Sequence, residues 1–147
     1  MNEKFQIIPG ESVGPFKLGM SREEVQSINR SPIKSYYAQS WSKFRTDSFE
    51  LLGIQCSYDE SEKLDEIVAF MKIEYNTVSF FLEGECFNAY SMSDVKKVIP
   101  IICDENVVES DWGFELPQSG IMFGADIAES EDKRLEFISI KKRIENP

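Results

Sequence analysis

With 147 residues, 41% of them hydrophobic and 29% charged, the chain is long enough to close one hydrophobic core and too apolar for a disordered polymer. Its net charge of −10 excludes a nucleic acid or an anionic membrane held by charge alone. Histidine is absent, which excludes the Ser–His–acid and Cys–His arrangements that need imidazole as a base and takes the commonest ligand from a zinc site.

No apolar run approaches the roughly 20 residues of a membrane span, so none is expected. The opening Met1-Asn2-Glu3-Lys4-Phe5 lacks the apolar stretch of a signal peptide. We therefore expect a cytoplasmic protein, with a removed signal or lipid anchor left open. Phe5, Ile7 and Ile8 form an extended lead that stops at Pro9-Gly10. A helix then starts at Ser21, where Glu24 three residues on completes a capping box and Val25 and Ile28 share one face. Ser31-Pro32 closes it. The aromatic segment Tyr36 to Phe44 reads as either an irregular helix or an exposed strand. Phe49 to Leu52 and then Gly53 to Tyr58 read as a strand. Ile54, Cys56 and Tyr58 alternate as a strand, the acidic turn Asp59 to Lys63 reverses the chain, and Leu64 to Met71 returns as its hairpin partner. A further strand covers about Thr77 to Leu82.

The pattern then restarts. Phe87, Ser91, Asp94 and Val95 restate Phe16, Ser21, Glu24 and Val25, and Val95, Val98, Ile99 and Ile102 take helical spacing, with Pro100 predicted to end or kink that helix near Ile99. Gly120 to Phe123 and Leu135 to Ile140 read as strands around an acidic turn at Ala128 to Asp132, and Gly53-Ile54 matches Gly120-Ile121 as Leu64 matches Leu135. These matches predict a single domain of two repeats, about 13–75 and 84–143. The expected fold is α+β: two tandem helix-plus-antiparallel-strand modules sharing one sheet, with both helices on one face. The other face stays open to solvent or a partner.

The start Leu18-Gly19-Met20-Ser21-Arg22-Glu23-Glu24-Val25, repeated with a hairpin after each helix, resembles the β-lactamase inhibitor protein family. Gly19-Met20-Ser21 with Val25 is also similar to the motif of single-module lipoproteins of outer-membrane assembly. In size, acidity and lack of catalytic motifs the chain is similar in type to bacterial toxin immunity proteins. The resemblance implies a protein-binding scaffold with a concave, aromatic and acidic sheet surface. The inhibitor family braces its modules with disulfides, whereas Cys56, Cys86 and Cys103 form no C-x-x-C and read as free thiols of a reducing compartment.

The function expected is therefore a non-enzymatic protein-binding module, an inhibitor or immunity protein that blocks a partner; an envelope or assembly factor and a small-ligand binder are the alternatives. No cofactor or metal is expected: the acidic turns lack calcium-loop spacing. Candidate partner-binding residues are the aromatics Tyr36, Tyr37, Trp41 and Trp112, which carry contact area at low entropic cost, and the carboxylates Asp104, Glu105, Glu109 and Asp111. Between Lys97 and Lys133 nine acids stand without one Lys or Arg, a field that steers toward a basic toxin or enzyme. Loop packing and a solvated acidic surface are the plainer readings of the same residues. No carboxylate stands in an apolar context that would tune it for acid–base chemistry.

Overall fold

The computed structural model describes residues 3–28, 32–37, 45–71, 78–102, 105–110, 113–125 and 133–143. In chain order the strands are β1 (Glu3–Ile8), β2 (Ser12–Val13) and β3 (Phe16–Lys17), then helix α1 (Arg22–Gln26). Four strands follow: β4 (Ile33–Tyr36), β5 (Thr46–Phe49), β6 (Ile54–Tyr58) and β7 (Leu64–Phe70). After β8 (Val78–Leu82) and β9 (Glu85–Cys86) comes helix α2 (Met92–Ile102), then β10 (Val108–Ser110), β11 (Gly113–Leu116), β12 (Ile121–Gly124) and β13 (Phe137–Lys141).

The strands form two sheets. An eight-stranded antiparallel sheet runs β10-β11-β12-β13-β7-β6-β5-β4, and a five-stranded sheet runs β3-β2-β1-β8-β9, antiparallel except for the parallel pair β1 and β8. This overturns the expected α+β architecture: the fold is mostly β, and it is not a single sheet covered by helices on one face. The physical reason is coverage. Eight strands at about 4.8 Å spacing span about 34 Å. At 1.5 Å per residue the five residues of α1 reach only about 7 Å and the eleven of α2 about 16 Å. The missing cover comes from the lead segment. Phe5 and Ile7 in β1 alternate with exposed Lys4 and Gln6, and β8 buries Val78, Phe80 and Leu82. Both segments join the second sheet, and their side chains enter one core with those of the large sheet. Phe16 meets Phe49 edge-on at 4.9 Å between centroids, and Phe87 stacks on Phe123 at 5.7 Å, so aromatic rings tie the first sheet to the second at two places.

Both helices start as their sequences predict. Ser21 Oγ accepts from the Glu24 N–H and the Glu24 carboxylate accepts from the Ser21 N–H; Ser91 and Asp94 exchange the same two bonds. Pro100 does not end α2 near Ile99. It has no N–H to give, yet the helix runs on to Ile102, because the lost bond falls in the last turn while Val95 and Ile99 hold the helix in the core. Each helix start also bridges the foot of a strand, Ser21 to Lys63 and Ser91 to Arg134.

The hairpin of β6 and β7 forms as expected, with a bulge at Ser57 and Tyr58 that lets Leu64 and Ile67, an odd number of residues apart, both face the core. In its turn the Asp59 carboxylate accepts from the N–H groups of Ser61 and Lys63. The turns ahead of β6 and β12 are built alike. Gly53 (φ +68°) and Gly120 (φ +71°) occupy left-handed backbone that glycine adopts without strain, and their carbonyls accept from the N–H of Phe70 and Lys141 respectively.

Candidate functional site

Cross-strand register assigns every side chain of the large sheet to one of two faces. Ile54, Cys56, Ile67, Ala69, Ile121, Phe123, Ile138 and Ile140 point into the core. On the opposite face one row runs Lys34, Ser48, Gln55, Val68, Ser139, Met122, Glu115 and Val108 across all eight strands. A second row holds Tyr36, Thr46, Ser57, Glu66 and Lys141. Apart from Thr46 and Ser139, which are buried, these residues are half-buried or exposed. The rows mix apolar and polar groups, and Glu66 joins them: it accepts from Ser139 Oγ at 2.9 Å and lies 3.7 Å from Lys141 Nζ.

A hollow of about 120 Å³ opens from this face beside the turn from β11 to β12, where Met122, Ser139, Glu115 and Lys141 meet Pro117 and Gly120. Drug-sized ligand sites are roughly 300–1,000 Å³, so the hollow admits little more than a few waters or one side chain. Its lining brings together one acid and two lysines, Lys141 and Lys142, and no pair of carboxylates.

The predicted binding residues do not form one patch. Tyr36 ends edge strand β4 on the outer face; next to it Tyr37 is exposed, with the Arg45 guanidinium 5.6 Å from its ring centre. Glu109 lies on β10, the opposite edge, and pairs with Lys96 of α2 at 3.3 Å. Glu105 is occupied by the fold: its carboxylate accepts from the N–H groups of Gln118 and Ser119 and from Ser119 Oγ, fastening the turn between β11 and β12. Trp41, Asp104, Asp111 and Trp112 lie outside the described residues. Cys56 is buried and Cys86 exposed, both as free thiols, and burial pushes the Cys56 thiol up, with the charge of Asp47 adding to it.

A buried polar cluster around Asp47 was missed entirely from sequence. Asp47, fully buried, sits on the core face of β5, where it accepts from Ser35 Oγ at 2.6 Å, Tyr58 OH at 2.7 Å and Gln26 Nε2 at 3.1 Å. Arg22 of α1 adds a forked contact, Nε and Nη2 each 3.4 Å from the carboxylate, and its guanidinium lies 5.9 Å from the Tyr58 ring centre. Burial pushes the Asp47 carboxyl up, but the hydrogen bonds from Ser35, Tyr58 and Arg22, with the Arg22 charge, outweigh it and hold the group below the usual carboxylate range. Burial, and next the bond to Asp47, drives the Tyr58 hydroxyl well above its ordinary value. Thus the expectation that no carboxylate has an apolar context fails at Asp47. The environment keeps Asp47 ionised and Tyr58 protonated, a resting state that suits a structural lock between α1 and strands β4, β5 and β6. The signal is its spacing: Asp47 and Phe49 are two apart and share a face, so alternation carried back from Phe49 sets Asp47 on the core side of β5.

Fold and face together define a mostly-β protein of two sheets around one core, with the broad side of the larger sheet turned to solvent. No family model matches the chain, and neither a curated protein nor a solved structure does.

Proposed function

We propose that this protein is a non-enzymatic binding module, an inhibitor or immunity protein that covers and blocks a partner protein. The observation that carries the proposal is the outer face of the eight-stranded sheet: a row of side chains from Lys34 to Val108 crosses every strand and sets Gln55 beside Val68 and Met122 beside Glu115, with Ser139 between the two pairs. A mixed apolar and polar face of this breadth suits a protein surface better than a small molecule, which needs an enclosed pocket several times the volume of the hollow beside Gly120. The acidic balance of the chain favours a basic partner. The same reading has the protein acting in the cytoplasm without a cofactor, as a single domain of two repeats; the paired capping boxes and the matching bonds at Gly53 and Gly120 support the repeat.

The test is recovery of the partner from the native cell with the tagged full chain, followed by an activity assay of whatever co-purifies in stoichiometric amount. A basic enzyme or toxin silenced at equimolar protein supports the proposal, and Gln55→Arg with Met122→Arg should release it. A stoichiometric partner that keeps full activity in the complex refutes blocking, and recovery of no partner refutes the proposal as a whole.

A further inference from the structure

The hollow beside the turn from β11 to β12 is small, but its walls are already fixed by bonds. Glu105 holds the N–H groups of Gln118 and Ser119, the Gly120 N–H donates to the Leu116 carbonyl at 3.0 Å, and the Gly120 carbonyl accepts from the Lys141 N–H at 2.8 Å. Just past β13, Arg143 donates from Nε and Nη2 to the Pro9 carbonyl, at 3.2 and 3.1 Å, and ties this corner to the turn after β1. A pocket built this way gives up little freedom when it fills.

We propose that the hollow is an anchor pocket that takes one phenol ring, the side chain of a tyrosine of the bound partner. Size sets the first limit. An apolar cavity of roughly 150 Å³ holds one benzene molecule. The hollow, at about 120 Å³ and open to solvent on one side, therefore matches a single six-membered ring and is tight for an indole. The lining sets the second limit. Met122 and Pro117 form the apolar part of the wall, and a thioether packs well against an aromatic ring. Lys141 and Lys142 add cations, which favour a ring over an aliphatic chain. Hydrogen bonding sets the third. Ser139 Oγ gives its hydrogen to Glu66 at 2.9 Å, so this hydroxyl can only accept from an occupant of the hollow, and an ionised Glu115 can only accept as well. The fitting occupant brings a donor. Lysine and arginine have one but would meet two lysines and lose their hydration against an apolar wall; an ionised carboxylate has none and would meet Glu115; phenylalanine has none. Tyrosine joins the ring to the O–H, and it is among the side chains that carry most energy at protein interfaces. The inference rests on the protein-binding reading and adds the residue type that anchors the partner and the place it enters.

The test uses the full chain and four probes: p-cresol as the tyrosine side chain, toluene as the ring without its hydroxyl, and n-butylamine and propionate as the charged alternatives. Amide and methyl shifts locate and titrate each one. The expected result is saturable binding of p-cresol at about millimolar concentration, centred on Gly120, Met122 and Ser139, with toluene at the same site about fivefold weaker, the worth of one neutral hydrogen bond, and neither ion bound. Met122→Trp, at a half-buried position of the outer face, should fill the hollow and abolish p-cresol binding, and Ser139→Ala should bring p-cresol close to the toluene value while leaving toluene unchanged. Toluene as tight as p-cresol, butylamine or propionate bound more tightly than either, p-cresol shifts centred elsewhere, or no saturable shift overturns the inference; these readings on the unaltered chain stand whether or not the variants fold. If a partner recovered from cells binds a folded Met122→Trp chain as tightly as the unaltered one, the anchor pocket falls while the protein-binding reading stands. If p-cresol docks as expected but cells yield no partner, the phenol site stands and the protein-binding reading falls, and the partner's tyrosine with it.

Discussion

Replacing Asp47 by Ala removes the acceptor of four side chains at once, and the structure indicates what each one loses. Arg22, Gln26 and Ser35 reach solvent and can be rehydrated, so their loss is limited to the net worth of their bonds. The Tyr58 hydroxyl is buried and has no described acceptor but Asp47, so it is left unsatisfied at a cost of about 2 kcal/mol. Adding about 1 kcal/mol for the lost charge-assisted bonds gives about 3 kcal/mol, the lower end for breaking a buried charged pair. With a urea slope of about 1.5–2 kcal/mol/M for a chain of this size, the unfolding midpoint followed by circular dichroism should fall by about 1.5–2 M. Tyr58→Phe on the Asp47→Ala background removes the orphaned hydroxyl and should recover about two thirds of the loss, a coupling that a double-mutant cycle reads directly. The pH dependence has a definite sign. Asp47 is held below its ordinary range in the folded state, so its stabilisation is fully present above the unfolded value near 3.8 and fades as pH falls through the lower folded value. The stability gap between the natural chain and Asp47→Ala should therefore be constant from pH 7 to about 5 and shrink below about 4. A gap under 1 kcal/mol at pH 7, strict additivity with Tyr58→Phe, or a gap unchanged down to pH 2 would refute the lock.

Gly120→Ala should cost more than Gly53→Ala, because a Cβ at Gly120 would lie 2.2 Å from the Lys141 carbonyl oxygen, against 3.1 Å from that of Phe70 at Gly53. Thermal melts should give a loss of about 1 kcal/mol at Gly53, from the positive φ alone, and at least about 2 at Gly120. Ser21→Ala and Ser91→Ala should each lower stability by about 1 kcal/mol in urea titrations, since each removes one capping box. Equal losses at the two glycines would refute the closer approach at Gly120, and silent capping variants would show that the boxes contribute nothing to the native state.

How far the sequence could be read varies element by element. Both capping boxes, the hairpin of β6 and β7, and the strands β8, β12 and β13 were legible because each is dictated within a few residues, by a Ser with an acid three places on or by alternation bounded by turn residues. Glu105 was visible as an acid in an acidic stretch, but nothing local shows that its carboxylate is consumed by N–H groups of Gln118 and Ser119, thirteen and fourteen residues away. Asp47 looked like one acid among twenty-six, and its partners Arg22, Gln26, Ser35 and Tyr58 come from three other elements.

Where helices begin, which strands form hairpins, and the acidity of the chain depend only on neighbours along the chain or on composition, and so are readable without the fold. That the lead Glu3–Gln6 pairs in parallel with Val78–Phe81 to make a second sheet, displacing the helices from the covering role, follows from contacts distant along the chain. Parallel pairing joins segments more than seventy residues apart through backbone groups that every residue carries, so no local pattern announces it. The same long-range closure made Asp47 a buried lock.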